Sequence, residues 1–307
     1  MMAERDGPKI VCVGGGHGLA AALRAARDVS PNVTAVVTVA DDGGSSGVLR
    51  AQLGIPAPGD LRMAIAALTT DPQRKALIQY RFREGELAGH PLGNLLIAAL
   101  ADLRGDFGVA VDEVSRVAEI VGAVVPSTTT PVRLRALIAG EEVAGQVSIA
   151  RGPAAVEKLW LEPGDAHGYD KAITALEQAD LVVLGPGSLF TSVIAALLPA
   201  GICEATARAA RVTLVMNLAE QAGETLGMDA TQHVQSLLAH CPDLRLDAVI
   251  VHNASVFGIP RPVAVDESSL AQLRAPIVAT DLRDDLRSDG PRHDSAKLAA
   301  ILSELVR

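Results

Sequence analysis

Lys9–Val13 reads Lys-Ile-Val-Cys-Val, a short run rich in β-branched residues, and it stops at Gly14-Gly15-Gly16-His17-Gly18. Leu19–Ala26 then has helical composition. Strand, glycine loop and helix in that order constrain the chain more than any other feature. Glycines let a backbone approach a phosphate without a Cβ in the way, and the following helix offers free N–H groups and the positive end of its dipole. Gly16-x-Gly18-x-x-Ala21 satisfies the G-x-G-x-x-G/A form, and it lies between a strand and a helix, the context in which such a loop cradles a nucleotide phosphate. His17 could hydrogen-bond that phosphate and titrate near neutrality, or present a solvated ring at a helix start.

Val33–Ala40 is a second apolar strand, and it runs into Asp41-Asp42-Gly43-Gly44-Ser45-Ser46-Gly47. Strand, loop, helix, strand and a second polar loop make half of a doubly wound fold. A carboxylate about 20 residues after the glycine loop binds a ribose hydroxyl in dinucleotide enzymes. Adjacent Asp41 and Asp42 could equally hold a Mg²⁺ that bridges phosphates. The glycines around Ser45 and Ser46 form a second anion-friendly nest.

Helices are expected over Leu61–Leu68, with Asp60 as N-cap, and over Arg74–Arg83, Leu95–Leu103 and Val111–Val121. Asp60 and Arg62 set a carboxylate and a guanidinium at the first of these helix starts as candidate ligand contacts, and Arg62 could clamp a phosphate bidentately or form a surface ion pair. Asn94 opens an apolar helix whose interior has no use for an amide, so it is a candidate ligand contact or simply the cap of that helix. Pro126–Pro131 reads as a polar linker. Val132–Ala139 and Val143–Ala150 form an expected hairpin around Gly140-Glu141-Glu142, and Val156–Leu161 adds a third strand.

Parallel character then returns. Leu181–Leu184 leads into Gly185-Pro186-Gly187-Ser188 and a helix from Phe190, repeating the design of the first loop. This second loop could receive another phosphate or a sugar. Further strands end at Asn217, at His252 and near Asp281, and Asp294–Val306 is the closing helix. Arg292, just before it, is either part of a solvated cap or folded back onto a ligand. Polar residues thus gather after the strands, the edge where open parallel sheets bind ligands. The fold expected is α/β, doubly wound, with a mainly parallel sheet, helices on both faces and a small antiparallel β insertion. Residues 8–307 make one domain, with a helical segment at about residues 60–122 and the insertion at about 131–162.

Composition removes several classes. A net charge of −9 and 2% aromatic residues disfavour nucleic acid, which needs basic surface and stacking platforms. Cys12, Cys203 and Cys241 are widely spaced, and no CxxC occurs, so neither a disulfide framework nor a thiolate zinc site is expected and a reducing cytoplasm fits. No apolar run reaches membrane-spanning length. No Walker A lysine motif, HExxH or nucleophile elbow is present. A nicotinamide dehydrogenase would rest only on the first loop and Asp41. Alanine-rich helices could supply a homodimer face.

Taken together, Gly14–Gly18, Ala40–Gly47, Pro58–Arg62, Leu92–Ile97, Leu184–Ser192 and Met216–Thr225 resemble the bacterial gluconeogenesis factor family, which is related to 2-phospho-L-lactate transferase. The resemblance runs from Lys9 to the final helix. It implies a Rossmann-like core, a cytoplasmic protein and binding of UDP-N-acetylglucosamine or another nucleotide sugar. It also implies a regulatory role in cell shape and cell-wall synthesis on gluconeogenic carbon. The alternative it implies is a Mg²⁺-dependent enzyme using a nucleotide-linked phospholactate donor and a deazaflavin acceptor. On this reading pyrophosphate sits on Gly14–Gly18, Asp41 and Asp42 hold the ribose or a metal, and Gly187, Ser188 and Thr191 meet the far end of the ligand. Cell-wall-synthesis and kinase partners stay open, with Thr128–Thr130 read as exposed. The first loop departs from the family, which commonly has threonine where His17 stands.

Overall fold

Ile10–Gly14 is buried at every position and forms β1, as a strand covered on both faces must. The computed structural model describes residues 6–253, 258–273, 275–284 and 292–307. After β1 come α1 (Gly16–Val29), β2 (Val33–Val37), α2 (Gly44–Leu53), α3 (Gly59–Leu68), α4 (Pro72–Gln79), α5 (Leu92–Arg104), α6 (Phe107–Val117) and β3 (Ala123–Pro126). An antiparallel unit follows, made of β4 (Arg133–Ile138), β5 (Glu141–Ala144), the short α7 (Gln146–Ile149) and β6 (Val156–Glu162). The chain then returns through α8 (Asp170–Glu177) to β7 (Leu181–Leu184). A π-helical turn, Leu189–Ile194, continues into α9 (Ala195–Leu197) and α10 (Ile202–Ala207). Next are β8 (Val212–Val215), α11 (Ala230–His240), β9 (Ala248–His252), α12 (Glu267–Gln272), β10 (Ile277–Thr280) and α13 (Ser295–Leu305).

The main sheet has seven strands in the order β10-β9-β8-β7-β1-β2-β3, every pair parallel. The chain walks outward from β1 to β3, then restarts at β7 on the other side of β1 and walks outward to β10. Right-handed crossovers in opposite directions place helices on both faces. α1 packs against α3 and α13 on one of them. A separate three-stranded sheet, order β5-β4-β6, is the antiparallel insertion.

Several local expectations shift. The second strand stops at Val37, and the Thr38 N–H makes the last bond of the β1–β2 ladder to the Gly14 carbonyl. Asp60 is not the cap of α3; Pro58 holds that position and Asp60 lies in the first turn. α4 ends at Gln79, short of Arg83. The β-rich run after Gly140 turns into α7 at Gln146. The linker reading of Pro126–Pro131 is overturned at its start, since Pro126 ends β3. Ser127 and Thr128 are buried, so Thr128 is no exposed hydroxyl for a kinase, and Thr129 and Thr130 are half-buried. Cys203 and Cys241 form a disulfide against the sequence expectation, because the sheet brings α10 and the end of α11 together. Cys12 lies within β1, and burial pushes its thiol up to about 12.

Candidate functional site

In a doubly wound sheet the crevice opens where the strand order reverses. Here that point lies between β1 and β7, so the two glycine loops that follow these strands face each other. They touch through backbone: a Cβ on Gly18 would run into the Pro186 carbonyl. Gly15 is equally tight, since a Cβ there would meet the Asp60 carboxylate and Thr38. Gly14 ends β1 and Gly185 follows β7 beneath the crevice, the Gly185 N–H donating to the Val13 carbonyl.

α1 starts at this junction with Gly15 as N-cap, no side-chain cap and no acidic residue in its first turn. By contrast α4, α6, α11 and α13 are each capped by an aspartate. A 14-residue helix with an uncapped start presents its positive dipole end to whatever fills the crevice. His17 is exposed at the lip.

Two lobes meet at His17, Gly18, Gly187 and Gln221. The wide lobe, about 860 Å³, is bordered by Arg24, Lys75 and Arg292 together with Glu220, Asp284 and Asp294. Asn217 also borders it. Arg292 therefore stands on the crevice wall, while the capping of α13 is done by Asp294, which accepts from Ala296 and Lys297 N–H at 2.8 and 3.1 Å. Beside it the His293 Nε2–H donates to the Met216 carbonyl at 2.9 Å. Burial pulls that imidazole down to about 4.

The narrow lobe, about 320 Å³, is bordered by Gly15, Gly16, Asp41, Asp60, Ser188 and Thr191. Among the described residues its walls hold no Lys or Arg. Asp60 keeps an edge open to the lobe but lies deep beneath the loops. Burial, reinforced by the Asp41 charge, pushes its carboxyl up to about 7, against the opposing pull of the Gly16 N–H and Arg62. The expected Asp41–Asp42 pair does not form at the crevice. Asp42 Oδ1 accepts the Val147 N–H at 2.9 Å and its other oxygen lies against Gly145, so it pins the insertion to the second loop. Asp41 Oδ1 accepts the Gly43 N–H at 2.9 Å. The carboxylates that share the lobe are Asp41 and Asp60. Among the described residues no cluster of three or more metal-ligating side chains occurs, so a divalent cation here would need oxygens from a bound ligand as well.

Behind the carboxylates runs a polar relay. Arg62 Nε donates to Asn94 Oδ1 at 3.1 Å, Asn94 Nδ2 donates to Ser45 Oγ at 3.1 Å, and Ser45 Oγ lies 2.9 Å from His90 Nδ1. Asn94 is buried inside α5, whose N-cap is Pro91, so it does not cap that helix. Ser46 is buried with its hydroxyl against Gly59. Ser45, Ser46, Arg62 and Asn94 thus brace the second loop rather than line the crevice.

The second glycine loop is occupied by the protein itself. Gly187 N–H donates to Asn217 Oδ1 at 3.0 Å, and Gln221 Nε2 donates to Ser188 Oγ at 2.9 Å. Phe190 and Thr191 N–H donate to Glu224 Oε2 at 3.2 and 3.1 Å, and the Thr191 hydroxyl to Oε1 at 2.6 Å. Burial pushes Glu224 above the usual carboxylate range, opposed by these donors and by Ser188. Sequence reasoning missed Glu224 although it lies inside the quoted Met216–Thr225 run. It also missed Arg24, on α1 itself, and Gln146, Gln221 and Lys75, which reach the crevice from distant segments and carry no local signal.

The family described as 2-phospho-L-lactate transferase CofD matches residues 10–283. A putative gluconeogenesis factor of Mycobacterium tuberculosis H37Rv is 42% identical over 308 residues, covering 95% of this chain and 89% of that relative. The gluconeogenesis factor of Bacillus subtilis 168 is 36% identical over 316 residues and covers 98% of each. The crystal structure of a Bacillus halodurans protein superposes with a TM-score of 0.89 at 36% identity, covering 98% of this chain and 99% of that one. With the fold and nearly the whole length in common, this chain belongs to the 2-phospho-L-lactate transferase CofD family and stands among the proteins named gluconeogenesis factors.

Proposed function

We propose that the chain binds a nucleotide sugar, UDP-N-acetylglucosamine in the first instance, and acts as a cytoplasmic regulator coupling precursor supply to cell-wall synthesis and cell shape. The observation that carries this reading is the two-lobed crevice. Among the described residues its wide lobe is bordered by Arg24, Lys75 and Arg292, its junction is the start of α1 with no side-chain cap, and its narrow lobe has carboxylates, hydroxyls and amides but no Lys or Arg. A diphosphate fits the junction, a nucleoside the wide lobe, and a polyhydroxylated sugar the narrow one. The test is calorimetry with UDP-N-acetylglucosamine, with GDP and NAD as controls. Binding of the UDP-sugar alone supports the reading; no UDP-sugar binding up to about 1 mM, a free energy near −4 kcal/mol, removes it.

The second reading is a phospholactate-type transferase, favoured by the family match and by the Asp41–Asp60 pair. Asp60, poised to exchange a proton near neutrality, suits general-base work, and the pair suits a Mg²⁺ shared with phosphate. Among the described residues the wide lobe offers no Phe, Tyr or Trp on which a deazaflavin would stack. Mg²⁺-dependent transfer to a deazaflavin alcohol, lost in Asp60→Asn, would establish this reading in place of the first.

A further inference from the structure

Glu224 is 2% exposed and follows the second glycine loop by more than thirty residues. Its carboxylate takes the place an anion would occupy at the start of the π-helical turn. The N–H groups of Phe190 and Thr191 and the Thr191 hydroxyl are all directed at it. The Gly187 N–H is taken by Asn217. These four donors are therefore satisfied inside the protein rather than offered to a phosphate. What remains toward the narrow lobe is neutral: the Ser188 hydroxyl and the amides of Gln221 and Gln146. The lobe has Asp41 and Asp60 on its wall and, among the described residues, no Lys or Arg. An uncharged polar group entering it finds hydrogen-bond partners, whereas an acidic one meets the like charge of Asp41 and Asp60.

We propose that Glu224 is a specificity residue: it fills the second anion position itself and so restricts the narrow lobe to the uncharged, hydroxyl- or amide-bearing end of a nucleotide ligand. This rests on the nucleotide-sugar reading and sharpens it, since it excludes ligands with an acidic end, a phospholactyl end among them.

The test is calorimetry on the full chain, without added divalent cation, using UDP, UDP-glucose and UDP-glucuronate. The two sugars differ only in a hydroxymethyl against a carboxylate. Wild type is expected to bind UDP-glucose about tenfold or more tighter than UDP-glucuronate, and Glu224→Gln to bring the two within about threefold. A wild-type ratio near one, or a ratio unmoved in folded Glu224→Gln, overturns the proposal. Should that variant not fold, Gln221→Glu sets a new carboxylate against Ser188 and is expected to widen the ratio by about a further threefold; an unchanged ratio overturns the proposal. UDP is the control for the underlying reading. Absence of UDP binding removes the nucleotide site and this proposal with it, whereas UDP binding with equal affinity for both sugars removes the proposal alone.

Discussion

Gly18 approaches the Pro186 carbonyl so closely that no side-chain atom fits between them. This contact joins the first turn of α1 to the loop after β7 and forms the floor where the two lobes meet. Gly18→Ala must push one loop away from the other. Overpacking of backbone against backbone costs about 1–3 kcal/mol. A urea melt should show a lower midpoint with unchanged slope, and nucleotide affinity should fall by about tenfold or more, about 1.4 kcal/mol per tenfold step.

Asp60 makes stability depend on pH. Its folded value is raised to about 7 from an ordinary 3.8, so the folded state holds a proton that the unfolded state has lost. Stability then falls as pH rises from about 4 toward 7, and the penalty is complete above the folded value. Asp60→Asn removes the titration. Its melting curves should flatten between those limits, and at pH 8 it should exceed wild type by on the order of 2 kcal/mol. A variant that keeps the wild-type slope would place the titrating group elsewhere.

Asp42 and Asp41, adjacent in sequence, have separate tasks. Asp42→Ala removes the acceptor for the Val147 N–H and should free α7, with Gln146, from the narrow lobe. A loss of about 1–2 kcal/mol in stability is expected, with faster amide exchange over 145–150. Asp41→Asn should leave exchange in that segment unchanged and alter the crevice instead. Equal effects from the two variants would contradict this division.

Asn94 holds Arg62 and Ser45 in one orientation. Asn94→Ala leaves a half-buried guanidinium nitrogen without its acceptor and should cost about 1–3 kcal/mol by chemical denaturation. Asn94→Asp keeps an acceptor for Arg62 but loses the donor to Ser45, so it should fall between alanine and wild type at neutral pH.

Much of the architecture was legible because its signals are local. β1, β7 and the glycines after them appear as apolar runs ending in Gly-rich turns, and the insertion shows itself by β-rich runs around Gly140. β3 was not legible: Ala123–Pro126 ends in a proline and runs straight into a polar stretch, so only pairing with β2 reveals it as a strand. α10 and α12 are six residues each, too short for a helical period to stand out.

The sequence by itself determined where backbone could approach a ligand, because glycine position and strand–loop–helix order depend on steric rules within a few residues. Even for the loop at Gly14–Gly18 it left the choice between backbone and the His17 side chain open. Only the tertiary structure decided which groups face one another. It set Asp60 rather than Asp42 beside Asp41, gave Asn94 to Arg62 and Ser45, and brought Glu224 into the second loop from more than thirty residues away. A hydrogen-bond partner is chosen by the position and direction that packing imposes on two distant segments, and no local pattern along the chain records that choice.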